Sequence, residues 1–370
     1  MSNAPAPLPA APVPALFRPI RLRELEIRNR IWIPPMCQYS VDTLDGVPGD
    51  WHLVHYGALA RGGAGLVIAE ATAVLPDGRI TDRDTGLWDD AQTEAWRRIV
   101  GIAHGHGAAM GVQLAHAGRK ASTWPALPGR PHGTQPVEEG GWTAVAPSAV
   151  AFDGYAEPEA LDRAGIAAVV EAFRAAARRA ADAGFDLVEL HAAHGYLLHE
   201  FLSPLSNRRD DEWGGSLEGR ARLLLEVVRA VRAEVGERMP VLVRFSATDW
   251  AAGGWDVEST SEVARWAIEA GADAFDVSTG GLVAHQAITL GPGYQLPHAI
   301  AVREATGAPV AAVGLITTPA HAESIVAAGL ADAVLVGRPA LRDPHWPLRA
   351  AHELGADDAA AWPGDRKSTG

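Results

Sequence analysis

An α/β fold, a single-domain (β/α)8 TIM barrel with an excursion after its third strand, is the class this sequence predicts. Eight short apolar runs of β character alternate with stretches of helical periodicity. The first run is not followed by the Gly-x-Gly-x-x-Gly turn of a dinucleotide-binding sheet, which leaves a doubly wound sheet as the runner-up. A length of 370 residues with 48% hydrophobic content fits one large barrel.

The elements follow in order. Residues 1–15 alternate Ala and Pro without a basic start or a continuous apolar stretch, and so read as a disordered tail and not as a signal peptide. The barrel is expected over 16–355, with a C-terminal tail at 356–370. Its strands are predicted at 31–33, 65–69, 109–114, 187–190, 241–245, 274–277, 310–313 and 333–336. A helix over 163–183 starts behind Asp162, presents Ile166, Val169, Val170, Phe173 and Ala177 on one face, and ends at Gly184. Another runs from about 217 to 235 behind Ser216, with Leu223, Leu224, Val227, Val228 and Val231 at helical spacing. The stretch 120–158, with Pro125, Pro128, Pro131, Gly140 and Gly141, is too long for a plain connector and reads as a lid.

Composition narrows the function. A formal charge of -13 and a pI near 5.5 repel nucleic-acid backbones and anionic lipid. No stretch approaches the roughly 20 apolar residues of a membrane span. One cysteine, Cys37, excludes an internal disulfide and a cysteine-ligated cluster. The expectation is a cytoplasmic protein with a small-molecule partner, binding neither nucleic acid nor membrane.

The chemistry-bearing residues fall at predicted strand ends. His191-Ala-Ala-His194-Gly-Tyr196 places two imidazoles and a phenol just past an apolar run, a set that can activate a carbonyl-conjugated substrate, bind a metal, or cap a loop. Strand alternation sends Arg244 inward with Leu242 and Ser246, where it needs an anion, a carbonyl or an internal salt bridge with a residue such as Glu189. It also sends Gln113 inward, as a reader of an amide edge or as a core amide. Glu189 and His191 share a face, which His194 rejoins if the chain turns helically after His191. Gly314 and Gly337-Arg338 follow the last two strands, where barrels hold phosphate, or are plain turn glycines. Cys37 ends the first strand and either faces the mouth or is an inert buried residue.

Longer motifs add to this. Pro-Pro-Met-Cys-Gln-Tyr at 34–39, Gln-Leu-Ala-His-Ala-Gly-Arg-Lys at 113–120, His-Ala-Ala-His-Gly-Tyr-Leu at 191–197, Ser-Asn-Arg-Arg-Asp-Asp-Glu-Trp-Gly-Gly-Ser at 206–216 and Val-Gly-Arg-Pro at 336–339 resemble the Old Yellow Enzymes, FMN-dependent ene-reductases. The similarity is to their bacterial, cysteine-bearing subclass, which includes xenobiotic reductases. It implies tightly bound, non-covalent FMN across the C-terminal mouth and NADPH or NADH as reductant. Pro35, Met36, Cys37, Ala71 and Gln113 match residues lining the isoalloxazine, and Arg244 matches the arginine at its N1 and O2 edge. Gly314, Gly337 and Arg338 match the phosphate site. His191 and His194 match the pair that holds the substrate's activating oxygen, Tyr196 the proton donor, and Tyr39 a substrate-contacting tyrosine. The implied substrate is an α,β-unsaturated carbonyl or nitro compound, the implied assembly a homodimer or homotetramer, and Cys37 modulates the flavin. Trp213 and Gly219 stand where the family often has Tyr and Asn, which implies local repacking. Trp362 and Arg366 are candidates for reaching a neighbouring subunit's site. Two other readings compete: a metal-dependent barrel hydrolase using His191, His194 and His199, with no other metal ligand in view, and an FMN-binding barrel without turnover.

Overall fold

In the computed structural model, which describes residues 12–360, the eight predicted strands close into one parallel barrel in sequence order. They are β1 (Ile31–Ile33), β2 (Leu66–Ala73), β3 (Ala109–Ala115), β4 (Leu187–Ala192), β5 (Val241–Ser246), β6 (Ala274–Ser278), β7 (Val310–Ala312) and β8 (Ala333–Leu335). Closure is made by Val334 opposite Ile31 and Leu335 opposite Trp32. Alternation along the strands sorts the side chains into two sets. Trp32, Leu66, Leu187, Leu242, Ala274 and Ala333 fill the barrel interior, which the antiparallel ribbon Ile20–Leu22 and Leu25–Ile27 plugs with Ile20, Leu22 and Ile27. Val112, Leu114, Val188, Leu190, Val243 and Phe245 face outward and pack with the helices.

The helices begin and end where their caps dictate. Arg163–Ala183 starts with Gly165 N donating to Asp162 Oδ1 at 2.7 Å and stops at Gly184, which takes a left-handed φ of 91°. Leu217–Val235 starts with Gly219 N donating to Ser216 Oγ at 3.2 Å. A Cβ on Gly219 would lie 2.1 Å from the Gly214 carbonyl oxygen, so this loop is packed around the missing side chain. Arg119 ties the 120–158 excursion to the loop after β6, donating to the Val150 carbonyl at 3.1 Å and to the Leu282 carbonyl at 2.7 Å. At the chain's beginning, the Ala15 and Leu16 amides donate to the two oxygens of Glu323, each at 2.8 Å. Residues 1–11, most of the predicted tail, lie outside the described residues, as do Trp362 and Arg366.

The strands β2 to β6 each run further than predicted, by one to four residues. In β2, pairing with β3 skips from Ala69 to Ala71, so Glu70 forms a bulge and the ladder continues beyond it. In β4 and β5 the polar ends, His191 and Ser246, stay in the ladder because the mouth of the barrel gives them polar neighbours. The bulged Glu70 is buried, accepting from Tyr56 Oη at 3.0 Å and from the Gln38 amide at 2.9 Å. Burial pushes its carboxyl from an ordinary 4.5 up to about 8. The folded state therefore holds a proton that the unfolded chain releases. Its contribution to stability is complete below pH 4.5 and is lost as pH rises through 8. Glu70→Gln is expected to reduce the fall in unfolding free energy across that window by about 1.4 kcal/mol per pH unit, measured by urea titration at several pH values. An unchanged slope counts against this assignment.

Candidate functional site

Register brings the inward polar residues together at the C-terminal mouth. Gln113 on β3 lies beside Glu189 on β4, and one layer up His191 lies beside Arg244 on β5, which lies beside Asp276 on β6. Gln113 Nε2 donates to Glu189 Oε1 at 2.8 Å, which fixes the amide's orientation. Arg244 is paired, but with Asp276 and not with the anticipated Glu189: Arg244 Nε stands 2.8 Å from Asp276 Oδ2, in ion-pair contact off the hydrogen-bond line. Asp276 is its lateral neighbour, whereas Glu189 sits a layer lower and is engaged by Gln113. Burial pushes both carboxyls up, against the opposing pull of the guanidinium.

His191 is the penultimate residue of β4. The chain then rejoins its face through a left-handed turn, with φ of 59° at His194 and 73° at Gly195, where a helical turn was anticipated. The reason is steric. A Cβ on Gly195 would meet the Gly281 carbonyl oxygen at 2.4 Å, so the chain can cross the β6 loop only at a glycine. The short helix Leu197–Leu202 follows. His191 meets His194 edge to face at 5.2 Å between ring centroids and Tyr196 at 5.0 Å, so the three rings form one cluster.

The ionisation states follow from their surroundings. Burial, reinforced by the Arg244 charge, holds His191 and His194 well below 6.5, so both imidazoles are neutral near pH 7. Burial raises the Tyr196 phenol well above 10 and keeps it protonated. Cys37 packs with Tyr196 against Ala71, Ile80 and Ala115, and burial raises its thiol, so it is held as thiol and not thiolate. Tyr39, two residues on in the loop carrying Pro35 and Met36, has a φ of 51° and a phenol raised by burial. Lys120, the last residue of the 113–120 motif, also reaches this cluster. Its Nζ lies 5.7 Å from the centroid of the Tyr196 ring, and burial lowers it to about 8.

Gly314, Gly337 and Arg338 meet at a cavity of about 260 Å³, joined there by Ser278, Gln295 and Arg342. Gly314 has a φ of 124°, and a Cβ there would press on Tyr294 and Gln295 at 3.2 Å. A Cβ on Gly337 would stand 3.4 Å from Met36 Sδ. Sequence reading missed Gln295 and Arg342. Arg342 was detectable as the i+4 neighbour of Arg338 on one helix face, while Gln295 sits in a loop with no periodic signal. The donor set fits FMN: two guanidinium groups and side-chain-free backbone suit a phosphate, and the buried Glu189 Oε2 and His191 Nδ1, both without a hydrogen-bond partner, suit a polar heterocycle. A three-histidine metal site does not form, because His199 Nδ1 accepts from the Gly195 amide at 2.9 Å and Nε2 faces Asp249. Among the described residues no group of three His, Cys, Asp or Glu could hold a metal ion, and no helix is long and apolar enough to cross a membrane.

Comparison with known proteins bears on the family and the fold. Residues 15–357 match the family described as NADH:flavin oxidoreductase / NADH oxidase. The chain is 46% identical over 341 residues to the NADPH dehydrogenase of Listeria monocytogenes serovar 1/2a, covering 92% of this chain and 95% of that protein. It is 47% identical over 341 residues to the NADPH dehydrogenase of Geobacillus thermodenitrificans, covering 92% and 94%. Among solved structures, morphinone reductase superposes with a TM-score of 0.76 at 32% identity, covering 93% of this chain and 91% of that one. The Old Yellow Enzyme homologue from Zymomonas mobilis superposes with a TM-score of 0.75 at 30% identity, covering 95% and 98%.

Proposed function

Because the chain belongs to the NADH:flavin oxidoreductase / NADH oxidase family and to its Old Yellow Enzymes, oxidoreductases that use FMN and NAD(P)H, we propose that it reduces the C=C bond of α,β-unsaturated carbonyl or nitro compounds. The observation that carries the proposal is the ring cluster of His191, His194 and Tyr196, with Arg244 beside His191 on the neighbouring strand. When bound, FMN supplies the two-electron carrier that takes a hydride from NAD(P)H and gives one to the β-carbon of the alkene.

The chain's own residues do the rest. His191 and His194, neutral, donate hydrogen bonds to the substrate's carbonyl or nitro oxygen and stabilise the negative charge that grows there. Ser278 Oγ lies 2.8 Å from His194 Nε2 and 3.3 Å from Gln295 Oε1, so one ring nitrogen of His194 is engaged by the protein and Nδ1 is the nitrogen left to face the substrate oxygen. Tyr196 delivers its proton to the α-carbon, and solvent restores it. Arg244 and Gln113 bind the polar edge of the isoalloxazine, Pro35, Met36, Cys37 and Ala71 line it, Tyr39 contacts substrate, and Gly314, Gly337 and Arg338 hold the phosphate. The catalytic domain is placed at 16–355, a span supported by the family match over 15–357.

The test is direct: purified protein should be yellow, release FMN on denaturation, and consume NADPH and 2-cyclohexenone one for one. Protein that stays colourless after incubation with FMN contradicts the reading, and protein that binds FMN without turnover supports the flavin-storage alternative. At the phosphate end, Gly314→Ala forces a side chain into a φ of 124°, a strain of about 1–3 kcal/mol. The expected result is FMN affinity weakened by about 5- to 150-fold in a fluorescence titration. Unchanged affinity would remove Gly314 from the cradle.

A further inference from the structure

The left-handed turn at His194 and Gly195 costs conformational energy, and the structure holds it from three directions. It lies backbone against backbone on the β6 loop, where a Cβ on Gly281 would stand 2.6 Å from His194 Cα. Ser246, at the end of β5, joins the two loops by accepting from the His194 amide at 2.9 Å and donating to the Gly280 carbonyl at 2.7 Å. Lys120 joins them again from the side of the 120–158 excursion, its Nζ donating to the His194 carbonyl at 2.9 Å and to the Gly281 carbonyl. His199 closes the third side by accepting from the Gly195 amide on Nδ1, which places its ring proton on Nε2, 3.0 Å from Asp249 Oδ1. Asp249 is itself fixed, its other oxygen accepting from Ser203 Oγ at 2.6 Å and from the Trp255 amide at 2.7 Å.

We propose that Lys120 and His199 are positioning residues, forming with Ser246 a clamp that holds the His194–Gly195 turn against Gly280 and Gly281 and so aims the His194 ring and the Tyr196 phenol into the site. Neither residue is asked to touch the reacting atoms. Removing either leaves a strained turn with a buried backbone group unpaired, and the turn relaxes. The kinetic part of the test rests on the ene-reductase reading, and the exchange part does not.

The holoenzyme variants are Lys120→Met and His199→Leu, with Lys120→Arg and His199→Asn as conservative partners that keep a donor or an acceptor. Lys120→Met and His199→Leu are expected to retain FMN and reduction by NADPH, while reoxidation by 2-cyclohexenone slows about a hundredfold, the cost of displacement by about 1 Å. The conservative variants recover most of that loss. Hydrogen–deuterium exchange of the 191–197 peptide loses protection in both disruptive variants, with or without turnover. Folded, FMN-loaded variants that keep this protection, or whose two half-reactions slow equally, overturn the clamp. If His199→Leu does not fold, Lys120→Met decides. If the wild-type enzyme does not reduce 2-cyclohexenone, the functional reading fails and exchange alone decides the clamp.

Discussion

Tyr196→Phe is expected to slow reoxidation of the reduced enzyme by 2-cyclohexenone by about 10²- to 10⁴-fold, with reduction by NADPH close to wild type. The substitution removes one hydroxyl and leaves the ring that packs at 5.0 Å from His191, so the site's shape is conserved. The phenol is half-buried, and its surroundings raise it well above 10 and keep it protonated, the state a proton donor requires. Its high pKa makes it a weak acid in isolation, so protonation is coupled to the electron demand that His191 and His194 create at the oxygen. Without the proton, negative charge accumulates on the substrate and the hydride-accepting step is disfavoured. Anaerobic stopped-flow measurement of each half-reaction separates the cases, and equal loss in both would contradict the role given to Tyr196.

Arg244→Met has the larger expected effect on the protein as a whole. Arg244 is 6% exposed, and its removal leaves Asp276, 0% exposed, without its counter-charge and Glu189 one layer below without a nearby cation. Breaking a buried pair from one side costs about 3–5 kcal/mol, well above the net worth of the pair itself. The predicted outcome is a loss of that size in urea unfolding together with loss of bound FMN. The double variant Arg244→Met/Asp276→Leu removes the stranded charge and should recover most of the stability without recovering FMN. Recovery of both, or loss of neither in the single variant, would show that Arg244 serves neither purpose.

Much of this architecture was legible in the chain because it depends on local pattern. Alternation in Val241–Ser246 turns Arg244 inward whatever its neighbours are, and Asp162 and Gly184 mark their helix by capping chemistry alone. What escaped detection depends on contacts between distant segments. The partner of Arg244 is set by the lateral register of β5 and β6, and no feature of either strand's sequence favours Asp276 over Glu189. The bulge at Glu70 looks like an interruption in an apolar run, although the strand continues through it. The turn after His191 reads as the start of a helix, because His-Gly-Tyr-Leu-Leu is compatible with one. Only the approach of Gly281 forces the left-handed path. Gln295 and Lys120 carry no periodic signal, and their importance comes from the loops that fold over them.

The claim that His191, His194 and Tyr196 serve alkene reduction is tested most directly by an anaerobic double-mixing experiment. NADPH is predicted to bleach the bound flavin, and 2-cyclohexenone to restore its colour while forming one cyclohexanone per NADPH consumed. Flavin that bleaches with NADPH but stays bleached with 2-cyclohexenone and with a nitroalkene would contradict the claim.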